Sequence, residues 1–125
     1  MSEPGHILVV DDDADTRDSV ADSLVDRGYQ VVCAGDGIEA LELLRAGPLP
    51  KLILLDYSMP RLGGAGFRAE MAKVEEWTSI PVVLLTADQN AERKAAEINA
   101  TAFMQKPIKP HALFEVIATL FQKSP

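Results

Sequence analysis

The chain has 125 residues, 47% of them hydrophobic and 25% charged, with a formal net charge of −7. That length suits a single domain that buries a core without disulfide or metal staples, and the composition excludes disorder through its body. The acidic balance argues against nucleic acid and membrane surfaces as partners, since both favour a basic face.

The chain starts Met1-Ser2-Glu3-Pro4-Gly5-His6, with an acid and no positive charge before a short apolar run, unlike a secretory signal. The apolar runs are too short to span a bilayer. The single cysteine, Cys33, excludes an internal disulfide and a cysteine-based zinc site. These features predict a cytoplasmic location.

Two signals then alternate. Apolar runs that predict strands are Ile7–Val10, Val31–Ala34, Leu52–Leu55, Val82–Leu85 and a weaker Ala102–Met104. Between them lie stretches with helical spacing. The first carries Val20, Leu24 and Val25 and stops at Gly28; the second carries Ile38, Leu41 and Leu44 and stops at Gly47-Pro48. The third carries Phe67, Met71 and Val74, with Trp77 near its end as a packing residue. The fourth, Asn90 to Asn99, is polar and alanine-rich, so little apolar area anchors it. The last carries Leu113, Val116, Ile117, Leu120 and Phe121, with Pro110 in its first turn. Asp13 or Asp15 suits the N-cap of the first helix, and Asp36 with Glu39 reads as a capping box for the second.

Five strand–helix pairs, (βα)5, predict a doubly wound α/β fold with a five-stranded parallel sheet between two helical layers. We expect the order 2-1-3-4-5, a flavodoxin-like three-layer sandwich, with the weak last strand at an edge; five units are too few for an eight-fold barrel. Parallel strands end on one edge of the sheet, and ligands bind where the strand order reverses. Asp11-Asp12-Asp13 follow strand 1, Asp56 follows strand 3, Thr86 follows strand 4, and Lys106-Pro107 close strand 5. Carboxylates converging there repel one another by on the order of 4 kcal/mol per pair at ~4 Å and an effective dielectric near 20. Such a cluster needs a cation, and oxygen-only ligation suits Mg²⁺. A metal, a lysine and a hydroxyl around a carboxylate make a phosphoryl-transfer site with the carboxylate as nucleophile.

The pieces ILVVDDDADTRDSV, LILLDYSMPRLGG, VVLLTA and FMQKP together resemble the receiver domain of bacterial two-component response regulators, across essentially the whole chain. The resemblance implies one receiver domain over residues 1–125, with its core at about 6–122. It implies Asp56 as phosphoacceptor, with Lys106 and Thr86 contacting the phosphoryl group. It implies Mg²⁺ (or Mn²⁺) held by Asp11, Asp12, Asp56 and the backbone carbonyl of Ser58. Thr86 and Phe103 become switch residues, Ser58, Ala87 and Asp88 tune phosphoaspartate lifetime, and Pro107 resembles the family's cis-proline. Gly64 stands at the turn into helix 3. Departures from the commoner pattern fall at Gly63, Asn99, Thr101 and Lys109, away from the chemistry.

The implied function is phosphorelay signalling. A histidine kinase or histidine phosphotransfer protein donates a phosphoryl group to Asp56, and a downstream protein target reads the helix 4–strand 5–helix 5 face. The implied chain is not an enzyme on a separate substrate, since it assists only its own phosphotransfer and dephosphorylation. It acts without nucleic acid or membrane insertion, as a monomer or a weak phosphorylation-dependent dimer. The short tail Gln122–Pro125 fits either a stand-alone receiver or one cut from a longer protein.

Three other readings compete. A haloacid-dehalogenase-type phosphohydrolase would use Asp11-x-Asp13, but no acidic pair follows strand 4 and Asp56 stays unexplained. An EF-hand loop fails because Thr16 stands where that loop needs glycine. A phosphorylation-independent interaction module with the same fold is the remaining alternative.

Overall fold

The computed structural model describes residues 5–122; the readings made above on Met1–Pro4 and on the tail beyond Gln122 lie outside it. The elements run β1 (His6–Val10), α1 (Ala14–Asp26), β2 (Gln30–Ala34), α2 (Gly37–Ala46), β3 (Leu52–Asp56), α3 (Gly64–Met71), a 3₁₀ turn (Glu75–Trp77), β4 (Val82–Thr86), α4 (Ala91–Glu97), β5 (Ala102–Gln105) and α5 (Pro110–Gln122). The five strands are all parallel in the order β2-β1-β3-β4-β5, as expected, with β5 at an edge.

Strand periodicity divides the core in two. Ile7, Val9, Leu52, Leu54, Val83 and Leu85 point to one face and pack with Val20 and Leu24 of α1 and Leu113 and Ile117 of α5. Leu8, Val10, Ile53, Leu55, Val82 and Leu84 point to the other. There they meet Leu41 and Leu44 of α2, Phe67 and Met71 of α3, and Ala95 and Ile98 at α4. Every residue of β3 and β4 is buried, which explains why those strands read as unbroken apolar runs.

Chain punctuation behaves as the sequence suggests, with corrections in detail. Gly28, at φ +91°, closes α1 with its N–H on the Val25 carbonyl at 2.9 Å, while Tyr29 N–H reaches the Leu24 carbonyl at 3.1 Å, a Schellman motif. Val25 itself is 56% exposed, because it lies about 100° round α1 from the buried Leu24 and so off the inward stripe. Asp36 caps α2 by accepting from Glu39 N–H at 2.9 Å. Glu39 returns a bond at 2.8 Å to the N–H of Gly35 rather than of Asp36, one residue outside the usual box.

Helix α3 ends at Met71, before Val74. Val74 instead leads into the separate 3₁₀ turn that buries Trp77 against the sheet. Helix α4 is shorter than the Asn90–Asn99 stretch, with only Ala91–Glu97 helical. Asp56 and Thr86 do not follow their strands but end them, and Asp56 pairs with Leu85 and Thr86 with Gln105. Each polar side chain therefore sits on backbone held by the sheet.

Candidate functional site

The C-terminal ends of β1, β3, β4 and β5 converge on one depression of about 480 Å³, lined by Asp12, Asp56, Ser58, Thr86, Asp88 and Lys106 among others. The reversal of strand order places β1 beside β3, and hence Asp11 and Asp12 beside Asp56. One carboxylate oxygen from each of these three aspartates lies within 4.8 Å of the others. Asp11 is fully buried and Asp56 nearly so, while Asp12 and Ser58 are exposed at the mouth.

Lys106 enters from β5. Its Nζ stands 2.9 Å from Asp11 Oδ2 and 3.3 Å from Asp56 Oδ1. Burial works to lower the Lys106 pKa, but the contacts with Asp11 and Asp56 outweigh it and hold the group above its ordinary value. Asp56 moves strongly the other way. Burial and the neighbouring Asp11 charge push it up to about 7, against the pull of Lys106.

Asp11 is held in place by its surroundings. Its Oδ1 accepts from Asp13 N–H at 2.9 Å, and Arg17 Nη1 donates to its carbonyl at 3.0 Å. Its Oδ2 is buried and has no aligned hydrogen-bond donor, only the Lys106 charge nearby. A buried anionic oxygen in that state is a ligand position for a cation. The other donors are carboxylate oxygens, a set that fits a hard divalent ion such as Mg²⁺ rather than zinc or copper.

Around this cluster the remaining expected residues fall as follows. The buried Thr86 hydroxyl accepts from Asp88 N–H at 3.1 Å, and the Thr86 carbonyl accepts from Lys106 N–H at 2.8 Å. Ala87 is exposed and lines the same depression. The Lys106–Pro107 peptide is cis. Phe103 lies on the outer face of β5, 42% exposed, while Met104 beside it is buried. Gly64 has ordinary backbone angles, so its need is not conformational freedom. A Cβ there would stand 2.9 Å from the Asp56 carbonyl and 3.0 Å from Tyr57 Cα, where α3 begins against the end of β3.

Two participants escaped the sequence reading. Arg17 was hidden in an acidic helix start. Lys94 lines the depression from α4 and pairs with Asp88 at 2.8 Å. Its signal was present: Lys94 falls on the stripe of Ala91, Ala95 and Ile98, the inward side of α4.

A family model described as the response regulator receiver domain matches residues 7–118. The response regulator MprA of Mycobacterium sp. (strain KMS) is 38% identical over 117 residues, covering 94% of this chain and 49% of that protein. That of Mycobacterium ulcerans is 39% identical over 114 residues, covering 91% of this chain and 47% of that protein. The chain thus spans about half the length of the curated relatives it matches. Among solved structures, the receiver domain of NtrX from Brucella abortus superposes with a TM-score of 0.84 at 34% identity, covering 94% of this chain and 99% of that one. The chemotaxis protein CheY4 of Vibrio cholerae gives a TM-score of 0.85 at 28% identity, covering 94% and 98%. The parallel sheet, the acidic pocket at its carboxyl edge and these matches agree: the chain belongs to the response regulator receiver domain family.

Proposed function

We propose that this receiver accepts a phosphoryl group on Asp56 and relays that event to a protein partner. The observation that carries the reading is the buried Asp56 carboxylate, set between the Lys106 ammonium and the acidic pair Asp11 and Asp12. Asp11, Asp12, Asp56 and the Ser58 carbonyl would hold Mg²⁺ or Mn²⁺. When bound, such an ion neutralises the carboxylates and the oxygens of the transferring group.

In the transfer, Asp56 attacks phosphorus in line, the donor's P–N or P–O bond breaks, and the electron pair leaves with the donor. The product is an acyl phosphate. Lys106 balances charge on the phosphoryl oxygens, and the Thr86 hydroxyl donates to one of them. Metal-free Asp56, pushed up to about 7, is substantially protonated near neutral pH and a poor nucleophile. A cation held beside it would favour the ionised carboxylate.

The donor is a histidine kinase or phosphotransfer protein, and the chain works in the cytoplasm as a monomer or a weak phosphorylation-dependent dimer. No described helix is long and apolar enough to cross a membrane. Thr86 and Phe103 move together on phosphorylation, the exposed ring turning inward, so that a downstream protein reads the α4–β5–α5 face. Moving such a switch from 1:99 to 99:1 takes about 5.5 kcal/mol, within reach of a few charge-assisted hydrogen bonds at ~1.5–3 kcal/mol each. Ser58, Ala87 and Asp88 at the mouth set the lifetime of the acyl phosphate.

The test is intact mass after incubation with acetyl phosphate and Mg²⁺. One phosphoryl group is gained, the gain is lost with EDTA, and it is absent in Asp56→Asn. No gain by the folded wild type favours the phosphorylation-independent module instead.

A further inference from the structure

Helix α4 contributes a cation to the phosphoryl pocket. Lys94 Nζ lies 2.8 Å from Asp88 Oδ2 and 4.3 Å from the centre of the Tyr57 ring. Tyr57 follows Asp56 directly, and its hydroxyl donates to Glu97 Oε2 at 3.3 Å, so the Tyr57 side chain meets both the middle and the C-terminal end of α4. The Lys94 side chain is only 23% exposed and faces the same depression as Asp56, Thr86 and Lys106.

Asp88 holds Lys94 at that mouth. One Asp88 carboxylate oxygen accepts from Asn90 N–H at 2.7 Å and the other meets Lys94. The Asp88 main-chain N–H donates to the Thr86 hydroxyl, and its carbonyl accepts from Gln105 Nε2 at 3.2 Å. The Asp88 backbone therefore has holds on Thr86 and Gln105 that do not involve Lys94.

Charge decides what happens when Asp56 is modified. The pocket is lined by Asp12, Asp56 and Asp88, against Lys106 and Lys94. Lys106 is already engaged by Asp11 and Asp56. A phosphoryl group raises the negative charge at Asp56 from about one to about two and adds three strong acceptors. Asp88 is 37% exposed, and an ion pair to so exposed a carboxylate is worth little. A contact to a phosphoryl oxygen deeper in the pocket is worth more.

We propose that Lys94 is a second phosphoryl-binding cation, for which Asp88 and the phosphoryl group on Asp56 compete. The proposal rests on Asp56 being the phosphoacceptor. The exchange is non-covalent: the ammonium keeps its protons and changes one anionic partner for another. Asp88 acts on the phosphorylated state through Lys94, by withholding it.

The test uses beryllofluoride, which occupies the place of a phosphoryl group on a carboxylate, titrated calorimetrically into the full chain in saturating Mg²⁺. Lys94→Gln should weaken beryllofluoride binding about tenfold, and Lys94→Arg should restore it to within about threefold. Asp88→Asn should tighten binding severalfold, and that gain should vanish in the Lys94→Gln, Asp88→Asn double variant. A Lys94→Gln chain that binds as tightly as wild type overturns the proposal, and so does an Asp88→Asn gain that survives in the double variant. Melting curves taken alongside keep a folding defect from passing as lost affinity, and rescue by Lys94→Arg separates charge from packing. Wild type that binds Mg²⁺ but no beryllofluoride overturns the phosphoacceptor reading and this proposal with it. Normal wild-type binding with no Lys94 effect overturns the role of Lys94 alone.

Discussion

The Lys106 ammonium is closer to Asp11 than to Asp56, 2.9 Å against 3.3 Å. Asp11 is fully buried, so among the described residues Lys106 is the cation that makes its charge tolerable inside the fold. Lys106→Met should destabilise the metal-free protein by about 2–3 kcal/mol, less than the ~3–5 kcal/mol of a fully buried broken pair because Lys106 itself keeps some solvent contact. Millimolar Mg²⁺ should return most of that loss, since two unshielded carboxylates bind a cation more tightly. Urea unfolding in EDTA and in Mg²⁺ checks this, and an equal loss in both media would contradict it.

Asp56 gives a pH dependence with a definite sign. Its ordinary pKa is about 3.9, and in the fold it is pushed up to about 7. Between these values the folded state keeps a proton that the unfolded state has released. The stability tied to this group is therefore full below pH ~4 and declines as pH rises toward ~7. Asp56→Asn escapes the decline. In EDTA the variant should equal wild type near pH 4 and exceed it by on the order of 2–3 kcal/mol at pH 8. Thermal or urea unfolding across that range checks the slope.

Arg68 of α3 fastens the end of α4. Its Nε donates to the Ile98 carbonyl at 3.0 Å and its Nη2 to the Asn99 carbonyl at 3.1 Å. A cation there satisfies carbonyls that a short helix leaves open. Arg68→Ala should cost about 1–3 kcal/mol. Amide exchange at residues 95–100 should quicken well before exchange in β3.

Two glycines should separate local strain from damage to the site. Gly28→Ala imposes a left-handed conformation at φ +91° but meets nothing within 4 Å, and should cost about 1–2 kcal/mol with Mg²⁺ affinity unchanged. Gly64→Ala drives a Cβ against the Asp56 carbonyl. It should lower Mg²⁺ affinity as well as stability, because the backbone that must give way carries the central carboxylate. Calorimetric Mg²⁺ titration of both variants distinguishes them.

The layered architecture was legible because strands covered on both faces write themselves as apolar runs, and Leu52–Leu55 and Val82–Leu85 are such runs. The meeting of Asp11 with Asp56 was legible too, since it follows from strand order alone. What periodicity missed depends on contacts between distant segments. Val74 keeps helical spacing with Phe67 and Met71, yet the chain turns there to bury Trp77. Asp56 looks like the residue after a strand, yet its backbone still pairs with Leu85. Gly64 reads as a flexible turn, and only its distance to the Asp56 carbonyl shows that space is the constraint. Lys94 looks like one more charge on a polar helix until Asp88 and Tyr57 are placed beside it.

The sheet is unevenly covered from middle to margin. All five residues of β3 are buried, whereas β5 presents Phe103 and Gln105 to solvent and buries Met104. Amide protons of β3 should therefore exchange only on global unfolding, and those of β5 and α4 through smaller openings. A covalent change made at the stiffest place in the molecule would be expressed at its most compliant margin. The acceptor carboxylate can then keep its position in every state, while the surface that reports it is free to differ from one state to the next.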